Sequence, residues 1–127
     1  MRKEIIRTSQ APVPIGPYSQ AVRLGNLLFV AGQGPVDPST GTVAVQDIRG
    51  QTRQTLLNIK AILEAANTSL GNVLKTTCFL RDMDDFRAFN EVYAEFFGEE
   101  PPARTTIQAA RLPLDIGVEI EVVAYVP

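Results

Sequence analysis

Short runs of apolar residues with strand-like spacing open the N-terminal part of the chain. Residues 20–24 and 27–31 are two such runs, and only Gly25 and Asn26 separate them. Because a two-residue connection that begins with glycine favours a type II′ turn, the pattern predicts a β-hairpin. Residues 3–7 would add a first strand to the same sheet.

Two longer segments carry apolar residues at the three- and four-residue spacing of a helix. Asp47 can cap the first helix, because its carboxylate accepts hydrogen bonds from free backbone N–H groups. The apolar side of this helix comprises Leu56, Ile59, Leu63 and Ala66. The second helix begins at Asp82 or Asp84, ends at Gly98 and carries a stripe of aromatic residues. The stripe consists of Phe86, Phe89, Tyr93, Phe96 and Phe97. Such spacing is typical of core packing.

Three further strands complete the predicted order βββαβαββ. Residues 73–80 mix β-branched and apolar side chains, as central strands do. Pro101 and Pro102 precede the last two strands, which span residues 103–110 and 117–126. The pattern therefore predicts a sheet of about six strands with two helices on one face.

Both faces of the predicted sheet carry apolar side chains. Residues 27–31 and 122–124 are apolar at consecutive positions, so apolar groups point to both sides of these strands. Two helices can cover only one face, and the chain has no third helix for the other. We therefore expect other copies of the chain to cover the second face, as in a homo-oligomer.

Length and composition indicate one globular domain spanning residues 1–127. Hydrophobic residues make up 45 % of the chain, and the formal net charge of -2 gives no general attraction to phosphate backbones. Nucleic acid is therefore not an expected partner. Residues 1–17 contain no run that resembles a signal peptide, and no apolar run approaches the roughly 18 residues of a membrane span. We expect a cytoplasmic protein with no membrane partner.

The chain lacks the side chains of the common nucleophile and base pairs. It contains no histidine, and Cys78 is its only cysteine. Cys78 lies in the apolar run of residues 73–80, which indicates a buried thiol. A single cysteine excludes an intrachain disulfide and a cysteine-based metal site.

Arg104 and Glu119 are the charged residues that point most clearly to chemistry. Arg104 stands near the start of a strand, and its planar guanidinium either grips a carboxylate ligand or pairs with Glu99 or Glu100. Glu119 and Glu121 point to a strand face that becomes apolar further on. If a neighbouring subunit covers this face, a carboxylate there needs a polar partner or a water. The alternative is a solvated strand end.

Three other positions are candidates for a binding site. Tyr18 follows a turn-forming stretch and is either a phenol held in a site or a packed tyrosine. Gly32 and Gly34 flank Gln33 directly after a strand, where bare backbone can approach a ligand. Asn90 interrupts the second helix beside the aromatic stripe, so its amide either has a specific partner or lies on the surface.

Several short stretches carry distinctive sequences. They are IGPYSQAV at residues 15–22, AGQ at 31–33, VLKTT at 73–77, Asp85-Phe86 with Asn90, PART at 102–105 and VEIE at 118–121. Together they resemble the Rid family, also called RidA/YjgF, over almost the whole chain. The resemblance implies a chorismate-mutase-like α+β fold with a mixed sheet. It also implies a homotrimer around a central barrel, with ligand clefts between adjacent subunits.

The resemblance further implies an activity and roles for individual residues. Rid proteins hydrolyse reactive 2-enamine and 2-imino acids, such as 2-aminoacrylate and 2-iminobutanoate, to 2-keto acids and ammonia without metal or organic cofactor. By position, Arg104 would hold the substrate carboxylate, and Glu119 would position or activate the attacking water. The backbone carbonyl of Thr106 would face the departing nitrogen. The cleft would be shaped by Tyr18, Gly32 and Asn90.

The chain differs from many family members at three positions, which bear on rate and substrate preference. It has Ala31 where many have serine, Thr106 where many have cysteine, and Gly34 where many have a larger apolar residue. One alternative function is therefore a trimer that senses small carboxylates or docks a protein partner without significant turnover. RNA cleavage or translation inhibition, attributed to relatives, is disfavoured by the acidic charge balance and the absence of histidine.

Overall fold

The strands and helices form in the order that the sequence predicts. A computed structural model describes residues 1–127 and contains six strands and two α-helices. The strands are β1 (Glu4–Ile6), β2 (Ala21–Leu24), β3 (Leu27–Gln33), β4 (Val73–Leu80), β5 (Ala103–Gln108) and β6 (Val118–Tyr125). The helices are α1 (Ile48–Ala65) and α2 (Phe86–Phe97). β5 and β6 are shorter than the predicted strands at residues 103–110 and 117–126. Neither helix has the length and apolar character that crossing a membrane requires.

All six strands belong to one mixed sheet in the order β1-β2-β3-β6-β4-β5. β4 and β5 run parallel and are connected through α2, whereas the other neighbouring strands are antiparallel. The predicted α+β architecture, a six-stranded mixed sheet with two helices, is confirmed. β5 lies at the edge of the sheet, so one side of its backbone has no strand partner.

Local signals in the sequence begin the elements as predicted. Gly25 has a φ of 59° in the first position of the hairpin turn, a conformation that glycine adopts without strain. The Asp47 carboxylate caps α1 by accepting a hydrogen bond from the Gly50 N–H at 3.0 Å. Asp82 caps a short 3₁₀ turn, Met83–Asp85, which leads directly into α2. Asp82 thus opens this helical region, although the α-helix itself starts at Phe86.

The core lies between the two helices and one face of the sheet. The predicted apolar side of α1 is buried. On α2 the aromatic stripe is buried at Phe89, Tyr93 and Phe97, and Phe86 and Phe96 pack at its margin. Alternate residues of β6 point into the same core, as its period-two pattern predicts.

The opposite face of the sheet, here called the open face, has no helix over it. Its large apolar side chains are exposed by between 38 % and 49 %. They are Leu24, Leu27, Phe29, Ile107 and Tyr125. Leu27 lies opposite Tyr125, and Phe29 lies opposite Val123, so the apolar groups on β3 and β6 form one continuous surface. Cover by other copies of the chain stays a prediction.

Candidate functional site

A cavity of about 770 Å³ opens at the end of β3, beside the start of β6. Five residues singled out from the sequence line it: Tyr18, Ala31, Gly32, Gly34 and Glu119. Its largely apolar walls come from the loop of residues 12–15 and the turn of residues 113–116. The cavity therefore brings together one part of the predicted site. Its apolar walls are formed by residues that sequence reasoning did not assign to the site.

The Glu119 carboxylate faces this cavity and forms no hydrogen bond or ion pair with the protein. The pairing of β3 with β6 is irregular between Val30 and Gln33, and Gly32 lies against Glu119 there. A Cβ added at Gly32 would lie 2.7 Å from Oε2 of Glu119, so glycine leaves room for the carboxylate. Burial raises the pKa of Glu119, and the neighbouring charge of Glu121 raises it further. Glu119 therefore holds a proton to a higher pH than an exposed glutamate.

Tyr18 stands at the rim of the cavity on a loop that its own hydroxyl helps to order. Its Oη accepts a hydrogen bond from the Ile15 N–H at 3.2 Å. The residue is 51 % exposed, so it is not a packed core tyrosine within the single chain. The buried Gln20 amide anchors the preceding loop, because it accepts from the Thr8 N–H at 2.8 Å and donates to the Pro12 carbonyl at 2.9 Å. Sequence reasoning did not assign this role to Gln20.

Two buried amides of α1 hold other parts of the cavity wall. Gln51 accepts a hydrogen bond from the Gly117 N–H at 2.7 Å. Asn58 donates from Nδ2 to the carbonyls of Gly34 at 3.0 Å and Val36 at 2.8 Å. Sequence reasoning missed both residues. The available signal is an amide at a helix position that the three- and four-residue spacing assigns to the buried side.

The wall at residues 113–116 contains a strained turn. Leu114 and Asp115 have φ values of 57° and 53°, in the left-handed region that costs non-glycine residues about 1 kcal/mol or more each. Arg81 holds the turn, because its Nη1 donates to the Asp115 carbonyl at 3.0 Å and to Oδ2 at 3.1 Å. The Leu114 side chain is thereby presented, 64 % exposed, at the cavity. Backbone strain of this kind is typical of functional sites.

Arg104 lies in a second cluster, on α2 and β5. Its Nη1 donates a hydrogen bond to Oδ1 of Asn90 at 2.8 Å. Three aromatic rings of α2 surround the same cation: its Cζ lies 5.5 Å from the ring centre of Phe86, 5.6 Å from Phe89 and 4.7 Å from Tyr93.

The alternative that Arg104 pairs with Glu99 or Glu100 is wrong, because Arg104 forms no ion pair. Asn90 is likewise partly buried with a specific partner.

Thr106 follows on the same side of β5, opposite the buried Cys78. Oγ1 of Thr106 is buried and has no hydrogen-bond partner. Burial raises the pKa of the Cys78 thiol to about 11, so it stays protonated at neutral pH. The prediction of a buried thiol is confirmed. No group of three or more Cys, Asp or Glu side chains in the structure could hold a metal ion.

A single chain does not bring Arg104 and Glu119 together. Directly paired residues of neighbouring strands point to the same face of a sheet. Arg104 pairs with Thr76, whose side chain is buried beneath α2, whereas Glu119 pairs with Phe79 on the open face. The six predicted site residues therefore form two clusters. Tyr18, Gly32 and Glu119 line the cavity, and Asn90, Arg104 and Thr106 lie on the helix side of the sheet.

Comparisons with known proteins decide the family. The Endoribonuclease L-PSP family model matches residues 8–126. A solved structure from Yersinia pestis, described as a protein of the conserved Rid family, is 43% identical with a TM-score of 0.95, and the match covers 98% of this chain and 100% of that one. The chain belongs to the Rid family.

This Rid protein is similar along nearly its whole length to several others. It is 59% identical over 123 residues to a RutC family protein of Pyrococcus horikoshii, covering 97% of this chain and 98% of that one. It is 48% identical over 122 residues to the 2-iminobutanoate/2-iminopropanoate deaminase of Salmonella typhimurium, covering 94% of each. A crystal structure of E. coli TdcF with bound serine is 46% identical with a TM-score of 0.92, covering 98% and 99%. The resemblance noted in the sequence is confirmed.

Proposed function

We propose that this Rid protein hydrolyses 2-imino and 2-enamine acids to 2-keto acids and ammonia. The observation that carries the proposal is the Arg104 guanidinium, which is held in place but has no carboxylate partner in the chain. An arginine in this state is suited to bind the carboxylate of a small organic acid. The name of the Salmonella relative, 2-iminobutanoate/2-iminopropanoate deaminase, supports the choice of substrate class.

The proposed reaction requires a positioned water more than a strong nucleophile. Glu119, as a carboxylate, takes a proton from the water while the water oxygen bonds to C2 of the protonated imine. The electron pair of the C=N bond moves to nitrogen. Glu119 then returns its proton to the nitrogen of the carbinolamine. The C–N bond breaks as the Glu119 carboxylate takes the hydroxyl proton, which gives the keto acid and ammonia. An iminium carbon is already electrophilic, so orientation and one proton acceptor supply the chemistry without histidine.

We propose that the complete site forms between copies of the chain in a homotrimer whose open faces line a central barrel. Two observations support this arrangement: the apolar open face has no cover in one chain, and Arg104 and Glu119 lie on opposite faces. β5 is an edge strand, so the Arg104 cluster can lie beside the cavity of a neighbouring copy. The Thr106 carbonyl on that strand would then face the departing nitrogen.

The direct test generates imino acids in situ from several amino acids with a dehydratase or an amino-acid oxidase. Semicarbazide gives the same semicarbazone with the imine and with the keto acid but reacts faster with the imine, so an active protein lowers the initial rate of semicarbazone formation. The competition also ranks the substrates. A purified, assembled protein that leaves the rate of semicarbazone formation unchanged for every imino acid contradicts the proposal.

A second candidate is a protein that binds small carboxylates without turnover. The observations that favour it are the serine bound to the related TdcF structure and the small residues Ala31 and Gly34 at the cavity. Imine hydrolysis by the purified protein argues against this as the main activity. RNA cleavage, which the family model's description names, is disfavoured by the net charge of -2 and the absence of histidine. If any nuclease activity of the preparation disappears on further purification, RNA cleavage is excluded as a function of this protein.

The proposed assembly predicts the effect of a charge on the open face. Replacing Phe29 by aspartate puts a carboxylate in the apolar surface, and we expect the assembly to dissociate because burying an unpaired charge is costly. Sedimentation equilibrium at low micromolar concentration should give three times the mass of one 13.9 kDa chain for the wild type and a smaller species for the variant.

The matched control for this experiment is Leu57→Asp. Leu57 is 45 % exposed on α1, close to the 49 % exposure of Phe29, but it lies on a helix that covers the other side of the sheet. We expect the Leu57 variant to keep the wild-type mass. A wild-type protein that sediments with the 13.9 kDa mass of one chain would contradict both the proposed trimer and the proposed site between its subunits.

The contact between Gly32 and Glu119 predicts a second effect. The Cβ of Gly32→Ala would displace the Glu119 carboxylate, the movable end of a side chain, so folding should be preserved while the carboxylate shifts. Because a displacement of about 1 Å can cost roughly 100-fold in rate, we expect kcat/KM to fall by about 10- to 100-fold. The control is Gly71→Ala, whose Cβ would meet nothing closer than 3.9 Å. Equal activity of both variants would exclude this role for Gly32.

A further inference from the structure

The Arg104 guanidinium is fixed in place entirely by uncharged groups. Its hydrogen-bonding partner is the neutral Asn90 amide, and its other close contacts are three aromatic rings. All four groups lie on α2, at spacings of three and four residues that align them along one side of the helix. One helix therefore orients the cation.

A neutral partner is unusual for a partly buried arginine. Such a cation commonly pairs with a carboxylate, which both orients it and cancels its charge. The Asn90 amide oxygen provides the same hydrogen-bond geometry without a negative charge. An aspartate at position 90 has nearly the same size and shape, and it would place a carboxylate oxygen where Oδ1 now lies, 2.8 Å from Nη1. The choice of amide over acid therefore decides whether the charge of Arg104 is available to a ligand.

We propose that Asn90 is a positioning residue that sets the selectivity of the site for carboxylates, because it orients Arg104 without neutralising it. The proposal rests on the proposed function only in taking Arg104 as the anchor of a carboxylate ligand. A purely structural role for Asn90 makes the opposite prediction: an aspartate would hold Arg104 at least as firmly, so ligand binding would survive.

The test compares wild type with Asn90→Asp and Asn90→Ala by calorimetric titration with 2-oxobutanoate and with its neutral amide. We expect the aspartate variant to lose about 30-fold or more in affinity for 2-oxobutanoate, because its new carboxylate competes with the ligand and repels it. Affinity for the neutral amide should change little. The Tm of this variant should equal or exceed that of wild type, since Arg104 gains an ion pair.

The ranking of the two variants separates the roles of charge and geometry. If charge decides, Asn90→Asp binds 2-oxobutanoate more weakly than Asn90→Ala, although the aspartate variant is the more stable protein. Asn67→Asp is the matched control, because it adds the same charge on the exposed turn after α1. We expect it to bind like wild type.

Three binding results would overturn the inference. They are tight 2-oxobutanoate binding by Asn90→Asp, an unchanged preference of that variant for the acid over the amide, and no binding of 2-oxobutanoate by wild type. Failure of the proposed function is distinguishable from these. A wild type that binds 2-oxobutanoate in the predicted ranking but hydrolyses no imine refutes the deaminase and leaves the role of Asn90 standing. Imine hydrolysis with an unchanged KM in Asn90→Asp refutes the role of Asn90 alone.

Discussion

Replacing Glu119 by glutamine is expected to lower kcat/KM for 2-iminobutanoate by about 10²- to 10⁴-fold, the usual contribution of a general base. Glutamine keeps the size of the side chain but cannot take a proton from water. Because burial and the charge of Glu121 raise the pKa of Glu119, the wild-type rate should fall with decreasing pH at a point above the ordinary value for a glutamate. In Glu121→Gln this acid limb should move to lower pH.

The same Glu119→Gln variant should be more stable than wild type at neutral pH. Folding raises the pKa of the Glu119 carboxyl, so ionising it lowers the stability of the folded protein. The loss is complete when the pH is above the pKa of the folded state, and it is absent when the pH is below the pKa of the unfolded state. The Tm of the variant should therefore exceed that of wild type at about pH 8, and the difference should shrink towards about pH 4. Glu64→Gln, on the exposed side of α1, is the control for the loss of a charge. Full activity in Glu119→Gln would assign the base to another group.

Replacing Arg104 by alanine is expected to lower kcat/KM by roughly 30- to 1000-fold, which corresponds to a charge-assisted contact of about 2–4 kcal/mol. The loss should appear mainly as a higher KM if the arginine holds substrate and transition state equally, and in kcat if it aligns the imine with the water. Steady-state kinetics across a series of imino acids measures both terms. The loss should be similar for every substrate, because all of them carry the carboxylate.

The control for Arg104 is Arg53→Ala. Arg53 pairs with Glu95 on the exposed side of the helices, and an exposed pair contributes only about 0.2–1 kcal/mol to stability. We expect this variant to retain wild-type kinetics. Circular dichroism and sedimentation should show that Arg104→Ala is folded and assembled before its rate is interpreted. Unchanged deamination by such a protein refutes the anchor.

The sequence predicts those features of the fold that local chemistry decides. Gly25 identifies the hairpin turn because the turn requires a positive φ, which glycine adopts without strain. Asp47 identifies the start of α1 because its carboxylate accepts a hydrogen bond from the N–H of Gly50, three residues later. The order of strands and helices follows from the spacing of apolar residues, because each element buries one face and its apolar residues recur with the period of a strand or a helix. The need for cover on the second face is also visible, since the exposed Phe29 belongs to an apolar run.

The geometry of the candidate site is beyond local patterns, because it depends on contacts between distant segments. The Gln51 amide meets the Gly117 backbone 66 residues away. The irregular pairing between Val30 and Gln33 brings Gly32 against Glu119, and apolar alternation alone does not reveal it. Leu114 adopts a left-handed conformation that its residue type disfavours, so no turn rule predicts this part of the cavity wall. The resemblance names the site residues, whereas only the strand register shows that they form two clusters.

The sealed position of Cys78 bears on the conditions under which the protein can work. Its thiol is buried and protonated at neutral pH, and its neighbour on β5 is Thr106, which carries a hydroxyl and no sulfur. Peroxides and soft electrophiles inactivate enzymes by attacking accessible thiolates. The one cysteine of this chain is not an accessible thiolate, and the proposed chemistry uses only a guanidinium, a carboxylate and water. We therefore expect the activity to persist under oxidising conditions that inactivate enzymes with a catalytic thiol.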